Sequence, residues 1–196
     1  KFIKKLRKSG IELEYLNIGG GLGIVYNDET PQTAAEFAGK ILPLLEKTGL
    51  KIILEPGRFI AGQAGILLVK VLYVKNTPLK KFIIVDGGMN DLIRPSLYGA
   101  YHTILPLRQS ASGTLDKVDV VGPICESGDF FAKDRLLAPV KEGDYLAVMS
   151  AGAYGFSMSS NYNSRPRAAE VMVKNSSVRL IRDRENYRDL IQKERL

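Results

Sequence analysis

One cysteine, one aromatic and a few charged residues sit where a reaction could use them. Cys125 lies in Cys125-Glu126-Ser127-Gly128-Asp129, shortly after Gly122. A lone cysteine is most often a small buried hydrophobe. This one is flanked by carboxylates and bracketed by glycines, a setting that packing explains poorly. Negative neighbours oppose a further negative charge, so the thiol suits a proton donor better than a thiolate nucleophile. Ala151-Gly152-Ala153-Tyr154-Gly155 puts small residues on both sides of one aromatic. That leaves room for a ligand ring at its face, or makes a tight turn with a packing tyrosine. Arg94 and Tyr98 share the stretch RPSLY, four residues apart. They could face the same way and hold one carboxylate, or belong to an ordinary loop.

Two further stretches suggest an anion site. Gly19-Gly20-Gly21 leaves three backbone N–H groups unobstructed, so an anion can rest against them, although such a run is often only a turn. Glu55-Pro56-Gly57-Arg58 closes the next apolar run. In a β/α barrel, phosphate is held by the loops after the last two strands, so the two stretches together point to a phosphate-bearing ligand better than either alone. Taken singly, Arg58 could make a surface salt bridge and Glu55 could start a helix. His102 is the only histidine. With one cysteine and one histidine no metal site is expected, and His102 takes no role.

These residues need elements to hold them. Residues 2–8 read as a basic helix ended at Gly10, and Leu13–Ile18 as a strand running into the glycine loop. Thr30 and Pro31 read as a helix start, and Ala34, Phe37, Ala38, Ile41, Leu42 and Leu45 follow at helical spacing up to Gly49. Lys51–Leu54 is the next strand. Strands alternating with helices imply parallel pairing. After about residue 64 the pattern changes. Ile66–Val74, Phe82–Val85, Lys117–Val121, Tyr145–Met149, Ala168–Val173 and Val178–Ile181 read as strands separated by turn clusters. No helix is expected until Asn186–Lys193, so this half reads as an antiparallel β domain. Gln109–Thr114 is a polar loop. Two parallel strands cannot make a buried sheet by themselves. The chain is therefore expected to be the C-terminal piece of a longer protein, or to have its sheet completed by another chain.

Composition narrows the class. The 196 residues are 45% hydrophobic and 25% charged, ordinary values for a globular protein. The longest apolar stretch, Gly65–Val74, is interrupted by Lys70, so no membrane span is expected. No secretory signal is visible, and a single cysteine suits a reducing, cytoplasmic setting. The net charge is +7. The excess is divided between Lys1–Lys8 and a tail from Lys174 that also carries acidic residues, which reads as solvated faces rather than a nucleic-acid surface.

Taken in order, LNIGGGLG (Leu16–Gly23), EPGR (Glu55–Arg58), CESGD (Cys125–Asp129), AGAYG (Ala151–Gly155) and RPRAAEVMV (Arg165–Val173) resemble the C-terminal portion of the diaminopimelate decarboxylases, which are fold-type-III pyridoxal-phosphate enzymes. The resemblance covers essentially the whole chain. It implies the last two β/α units of a (β/α)8 barrel over residues 1–63 and a C-terminal antiparallel β-sandwich or barrel over 64–196. It implies decarboxylation of meso-2,6-diaminopimelate to L-lysine and CO2, the last step of lysine biosynthesis, with pyridoxal 5'-phosphate as cofactor. Gly19, Gly20, Gly21, Pro56, Gly57 and Arg58 match the phosphate cradle, Glu55 the partner of the pyridine nitrogen, and Tyr154 a residue touching the cofactor. Arg58, Arg94, Tyr98, Glu126 and Tyr154 match substrate-binding positions. Cys125 matches the proton donor, which reaches the neighbouring subunit's site in a homodimer with shared active sites. The family's Schiff-base lysine and a cofactor-stacking histidine lie in an N-terminal half without a counterpart in this sequence, so the chain alone is expected to be inactive. An ornithine or arginine decarboxylase of the same fold is the nearest alternative. Those enzymes carry Asp after the Cys, where this chain has Glu126, and a diamine precursor would leave Arg94 without a carboxylate to bind. A non-catalytic partner subunit is a further alternative, against which the complete set of site residues speaks.

Overall fold

The computed structural model describes residues 1–108 and 113–195; Gln109–Ser112, most of the expected polar loop, lie outside the described residues. The chain starts with α1 (Phe2–Lys8), which is basic and has no buried residue. β1 (Tyr15–Asn17) and β2 (Lys51–Ile53) pair in parallel, Asn17 opposite Ile53, with α2 (Ala34–Leu45) between them in sequence. Parallel neighbours need such a crossover. The start of α2 differs from the Thr30-Pro31 expectation. Thr33 is the cap: its hydroxyl accepts the Glu36 N–H at 3.2 Å, and the Glu36 carboxylate accepts the Thr33 N–H at 2.7 Å. This reciprocal pair satisfies two orphan donors, which Pro31 cannot do.

After the short helix α3 (Gly57–Ala61) the sheet domain begins. It contains β3 (Leu67–Asn76), β4 (Lys81–Val85), the one-turn helix α4 (Arg94–Tyr98), β5 (Ile104–Pro106), β6 (Asp116–Val121), β7 (Phe130–Leu137) and β8 (Tyr145–Val148). The sheet order is β5-β8-β3-β4-β6-β7. Every neighbouring pair is antiparallel except β4 and β6, which run parallel. The wholly antiparallel expectation is thereby corrected. The connection from β4 to β6 carries α4 and β5, long enough to return the chain to the same end of the sheet. The outermost strands β5 and β7 touch, so the mixed sheet nearly closes on itself, which protects its edges.

The core follows from alternation. Val69 and Val71 of β3, Ile83 and Val85 of β4, Val118 and Val120 of β6, and Leu146 and Val148 of β8 are all buried. Residues two apart lie on one face of a strand, and β-branched side chains fill such a face well. β5 and β7 were not expected from the sequence. β5 has three residues and ends in proline, while β7 carries Lys133-Asp134-Arg135 at its middle with Asp134 at φ +50°. α4 also corrects the helix-free reading: Pro95 sits in its first turn and Gly99 caps it in the left-handed region.

The chain ends in a hairpin, β9 (Glu170–Lys174) with β10 (Ser177–Arg182), followed by α5 (Tyr187–Ile191) capped by Asn186. The foot of the hairpin is fixed by Glu185. Its carboxylate accepts from Arg167 Nε at 2.7 Å, from the Arg167 N–H at 2.8 Å and from Asn161 Nδ2 at 2.6 Å. The Arg167 side chain, followed by the Arg167 N–H, lowers this carboxyl to about 2.

Candidate active site

The parallel pair places the ends of β1 and β2 side by side, and ligands of such sheets sit beyond those carboxyl ends. Asn17, the last residue of β1, fastens the two loops. Its Nδ2 donates to Glu55 Oε1 at 2.5 Å, and its Oδ1 accepts the Gly19 N–H at 2.8 Å. The Glu55 N–H donates to the Gly19 carbonyl at 2.8 Å. Glu55 and the glycine loop therefore move as one piece. Sequence reading missed Asn17; the only signal was a polar residue closing a strand just before a glycine run. Gly19 and Gly21 have φ of +70° and +91°, conformations glycine takes freely. A Cβ on Gly20 would stand 2.8 Å from the Glu55 carbonyl oxygen. Over Gly19 and Gly57 the space is open, and among the described residues the N–H groups of Gly20 and Gly21 donate to no protein acceptor. Free backbone donors with no side chain above them fit a phosphate ester. A carboxylate steered from the same loop fits the protonated pyridine ring of a pyridoxal cofactor.

AGAYG docks directly on α3. The Ala151 N–H donates to the Gly65 carbonyl at 2.8 Å and the Gly152 N–H to the Gly62 carbonyl at 3.0 Å. A Cβ on Gly152 would overlap the Ala61 carbonyl oxygen. Tyr154 sits at φ +61°, a left-handed conformation that costs a non-glycine residue about 1 kcal/mol, so the docked backbone around it has to hold it there. Its ring receives two guanidinium groups: Arg58 at 5.6 Å and Arg94 at 5.9 Å from the centroid.

Arg94 is 6% exposed. Among the described residues no carboxylate lies within ion-pair distance of it. Its neighbours are the Tyr26 ring, 4.8 Å from centroid to guanidinium, the Tyr154 ring, and His102, whose Nε2 is 3.0 Å from Arg94 Nη1. A buried cation without a counter-ion is costly, and an incoming anion removes that cost. Tyr98, one turn further along α4, is 65% exposed, so the two residues share a helix but not a depth.

The Cys125 loop is built around Asp129. This carboxylate is buried and accepts the Met89 N–H at 2.7 Å and the Ile124 N–H at 2.5 Å. Burial raises its pKa, against the pull of those two bonds. It holds the loop shut and is not aimed at the thiol. A Cβ on Gly122 would overlap it, and a Cβ on Gly128 would stand 2.5 Å from Ser96 Oγ, so the loop packs against α4. Cys125 and Glu126 are exposed at its tip. The Glu126 carboxylate accepts the Tyr162 hydroxyl, and this bond raises the tyrosine's pKa. Tyr162 was not singled out in the sequence.

The structure thus brings Arg58, Arg94 and Tyr154 together, and Glu55 with Gly19–Gly21. Among the described residues no hydrogen bond, ion pair or ring contact joins Cys125 or Glu126 to either group. Two surface concavities, of about 310 and 280 Å³, lie elsewhere, one between Pro106, Pro139 and Tyr145 and one around Lys80 and Asp119, and hold none of these residues. No helix among the described residues is long and apolar enough to cross a membrane.

Comparison with known proteins matches residues 24–152 to the pyridoxal-dependent decarboxylase C-terminal sheet domain. The diaminopimelate decarboxylase of Aquifex aeolicus is 55% identical over 190 residues, covering 96% of this chain and 45% of that protein. The Vibrio cholerae diaminopimelate decarboxylase is 51% identical over 189 residues, with the same coverage of 96% and 45%. Among solved structures, diaminopimelate decarboxylase from Helicobacter pylori complexed with L-lysine superposes with a TM-score of 0.88 at 44% identity, over 96% of this chain and 46% of that one. A lysine/ornithine decarboxylase from Vibrio vulnificus complexed with cadaverine, at 24% identity and a TM-score of 0.75, shares the fold alone. The chain spans about 45% of the length of the curated relatives it matches. By sequence and by the arrangement of its sheet, the chain belongs to the pyridoxal-dependent decarboxylases, where it corresponds to the C-terminal sheet domain and the segments flanking it.

Proposed function

We propose that this chain is the C-terminal portion of a pyridoxal-phosphate-dependent diaminopimelate decarboxylase, which converts meso-2,6-diaminopimelate to L-lysine and CO2. Residues 1–63 are read as the last two β/α units of a (β/α)8 barrel and 64–196 as the C-terminal β domain. The observation that carries the substrate assignment is Arg94, a buried guanidinium held by neutral groups and lacking a carboxylate partner among the described residues. Diaminopimelate has a second carboxylate, which the reaction leaves in place. A shorter diamine precursor has none.

The bound cofactor supplies an electron sink for the pair left when CO2 departs. The Gly20 and Gly21 N–H groups, with the Arg58 backbone, bind its phosphate, while the Gly19 N–H is held by Asn17 and the Gly57 N–H by the Glu55 carbonyl. Glu55, steered by Asn17, keeps the pyridine nitrogen protonated, and Tyr154 lies against the cofactor. Arg94, with Arg58 and Tyr98, binds the distal carboxylate, and Glu126 binds the distal ammonium through a charge-assisted hydrogen bond. Cys125 delivers a proton to the substrate carbon that lost CO2. The enzyme is read as a cytoplasmic homodimer with shared active sites, acting on a small amino-acid substrate, and the chain alone as inactive.

The test is CO2 release by the full-length, cofactor-loaded protein given meso-diaminopimelate, L-ornithine or L-arginine. Release from diaminopimelate with formation of L-lysine, and little from the other two, is expected. Preferential release from ornithine or arginine would overturn the substrate assignment.

A further inference from the structure

His102 is fully buried, and none of the roles above uses it. Its ring is fixed at both nitrogens. Nδ1 lies 2.8 Å from the carbonyl oxygen of Met149 and Nε2 lies 3.0 Å from Arg94 Nη1. A carbonyl only accepts, so Nδ1 carries the proton; a guanidinium only donates, so Nε2 offers it a lone pair. The two partners select one neutral tautomer. Burial, helped by the charges of Arg94 and Arg135, lowers the imidazole pKa, against the pull of the Met149 carbonyl. Tyr26 closes a further side. Its ring stands edge-on to the imidazole, centroids 5.2 Å apart, and packs against the Arg94 guanidinium.

Among the described residues, every group that orients Arg94 is therefore neutral. A carboxylate at position 102 would hold the guanidinium as firmly but would neutralise it. A neutral acceptor fixes its direction and leaves its charge to an incoming anion. His102 also ties α4 to Met149, just ahead of the loop that carries Tyr154.

We infer that His102 is the positioning residue for Arg94, presenting the uncompensated guanidinium to the substrate carboxylate that the reaction does not remove and so setting the preference for substrates that carry it. This rests on the diaminopimelate decarboxylase reading. The probes are L-lysine and cadaverine, identical chains that differ by that one carboxylate. Bound through the amino group remote from its carboxylate, L-lysine presents the carboxylate to Arg94; cadaverine presents nothing there.

Affinities of both probes are measured on the full-length, cofactor-loaded enzyme by titration calorimetry. Arg94→Ala should abolish the preference for L-lysine. His102→Leu should weaken L-lysine about tenfold, the loss of one charge-assisted hydrogen bond, while cadaverine and the cofactor absorbance spectrum change little. KM for diaminopimelate should rise more than kcat falls. His102→Gln, which restores an acceptor, should recover much of the preference. If the leucine variant does not fold, His102→Asn, which can serve the Met149 carbonyl but is too short for Arg94, carries the same expectation. An unchanged lysine-to-cadaverine ratio in the variants that lose the acceptor, with Arg94→Ala still losing it, overturns the role of His102 alone. Equal weakening of both probes does the same, because it marks a merely structural residue. A preference that survives Arg94→Ala overturns the carboxylate reading and this inference with it.

Discussion

Glu55 and Arg94 carry opposite charges in opposite settings, and each setting suits its proposed task. Glu55 is exposed at the end of a strand and steered by one amide, so its charge is available to a ligand atom placed above it. In the full-length enzyme, Glu55→Gln should still bind cofactor, as its absorbance spectrum will show, but decarboxylate about a hundredfold more slowly, since one preorganised electrostatic contact to the reacting system is lost. Unchanged kcat would remove Glu55 from the pyridine nitrogen. The motif residues were legible because glycine, cysteine and charged types stood out in local context. Asn17, Tyr26, His102 and Tyr162 were not, because their meaning lies in partners distant along the chain. Asn17 meets Glu55 across 38 positions and Tyr162 meets Glu126 across 36. Asp129 was read as a neighbour of the thiol, yet its carboxylate is spent on backbone N–H groups, which only the folded loop could show.

Among the elements, β3, β4, β6 and β8 were visible as apolar runs, rich in β-branched residues in all but β8, whereas β5 and α4 were hidden by proline and β7 by the charges at its centre. The parallel pairing of β4 with β6 had no local signal, since a register that sets Lys81 opposite Val118 is decided by packing between segments distant along the chain. Two elements meet at Gly152, where AGAYG presses on α3. Gly152→Ala should force them apart, because the added methyl meets backbone and not a flexible side chain. A stability loss of about 1–3 kcal/mol in the full-length protein, read by denaturant unfolding, should accompany weakened cofactor binding. An unaffected variant would mean that the loop and α3 do not pack as described.

The hairpin foot makes a separate prediction. Glu185 has a folded pKa of about 2, below the ordinary 4.5, so the folded state binds fewer protons between those values. Its contribution is present above pH 4.5 and lost as the pH falls toward 2. Glu185→Gln should cost about 1–2 kcal/mol at neutral pH and less and less as the pH drops through that window. A cost independent of pH would contradict the charged pairing with Arg167.

At the scale of the whole molecule, the β1–β2 pair leaves apolar surface uncovered. Ile53, Leu54, Phe59 and Ile60 around it are exposed, Ile60 at 69%. Parallel strands ordinarily have both faces covered. In the proposed enzyme the rest of the barrel supplies that cover, together with the lysine that anchors the cofactor. The division near residue 64 stays an expectation from the change in periodicity, and the near-closure of the sheet domain depended on β5 and β7, which had no local signal.

In the proposed enzyme one site is assembled from separate pieces, a cofactor cradle at Gly19–Gly21 and Glu55 from one subunit and the Cys125 loop from its neighbour. Subunit mixing measures this directly. Full-length Cys125→Ala protein is combined with full-length protein lacking the cofactor-anchoring lysine, under conditions where subunits exchange, and decarboxylation of meso-diaminopimelate is followed. Each homodimer has two defective sites, while a heterodimer holds one site with both defects and one with neither. Activity should return on mixing, up to about half that of a wild-type dimer for each heterodimer formed. Heterodimers that form and remain inactive would show that Cys125 serves its own subunit, and the shared-site account would fail.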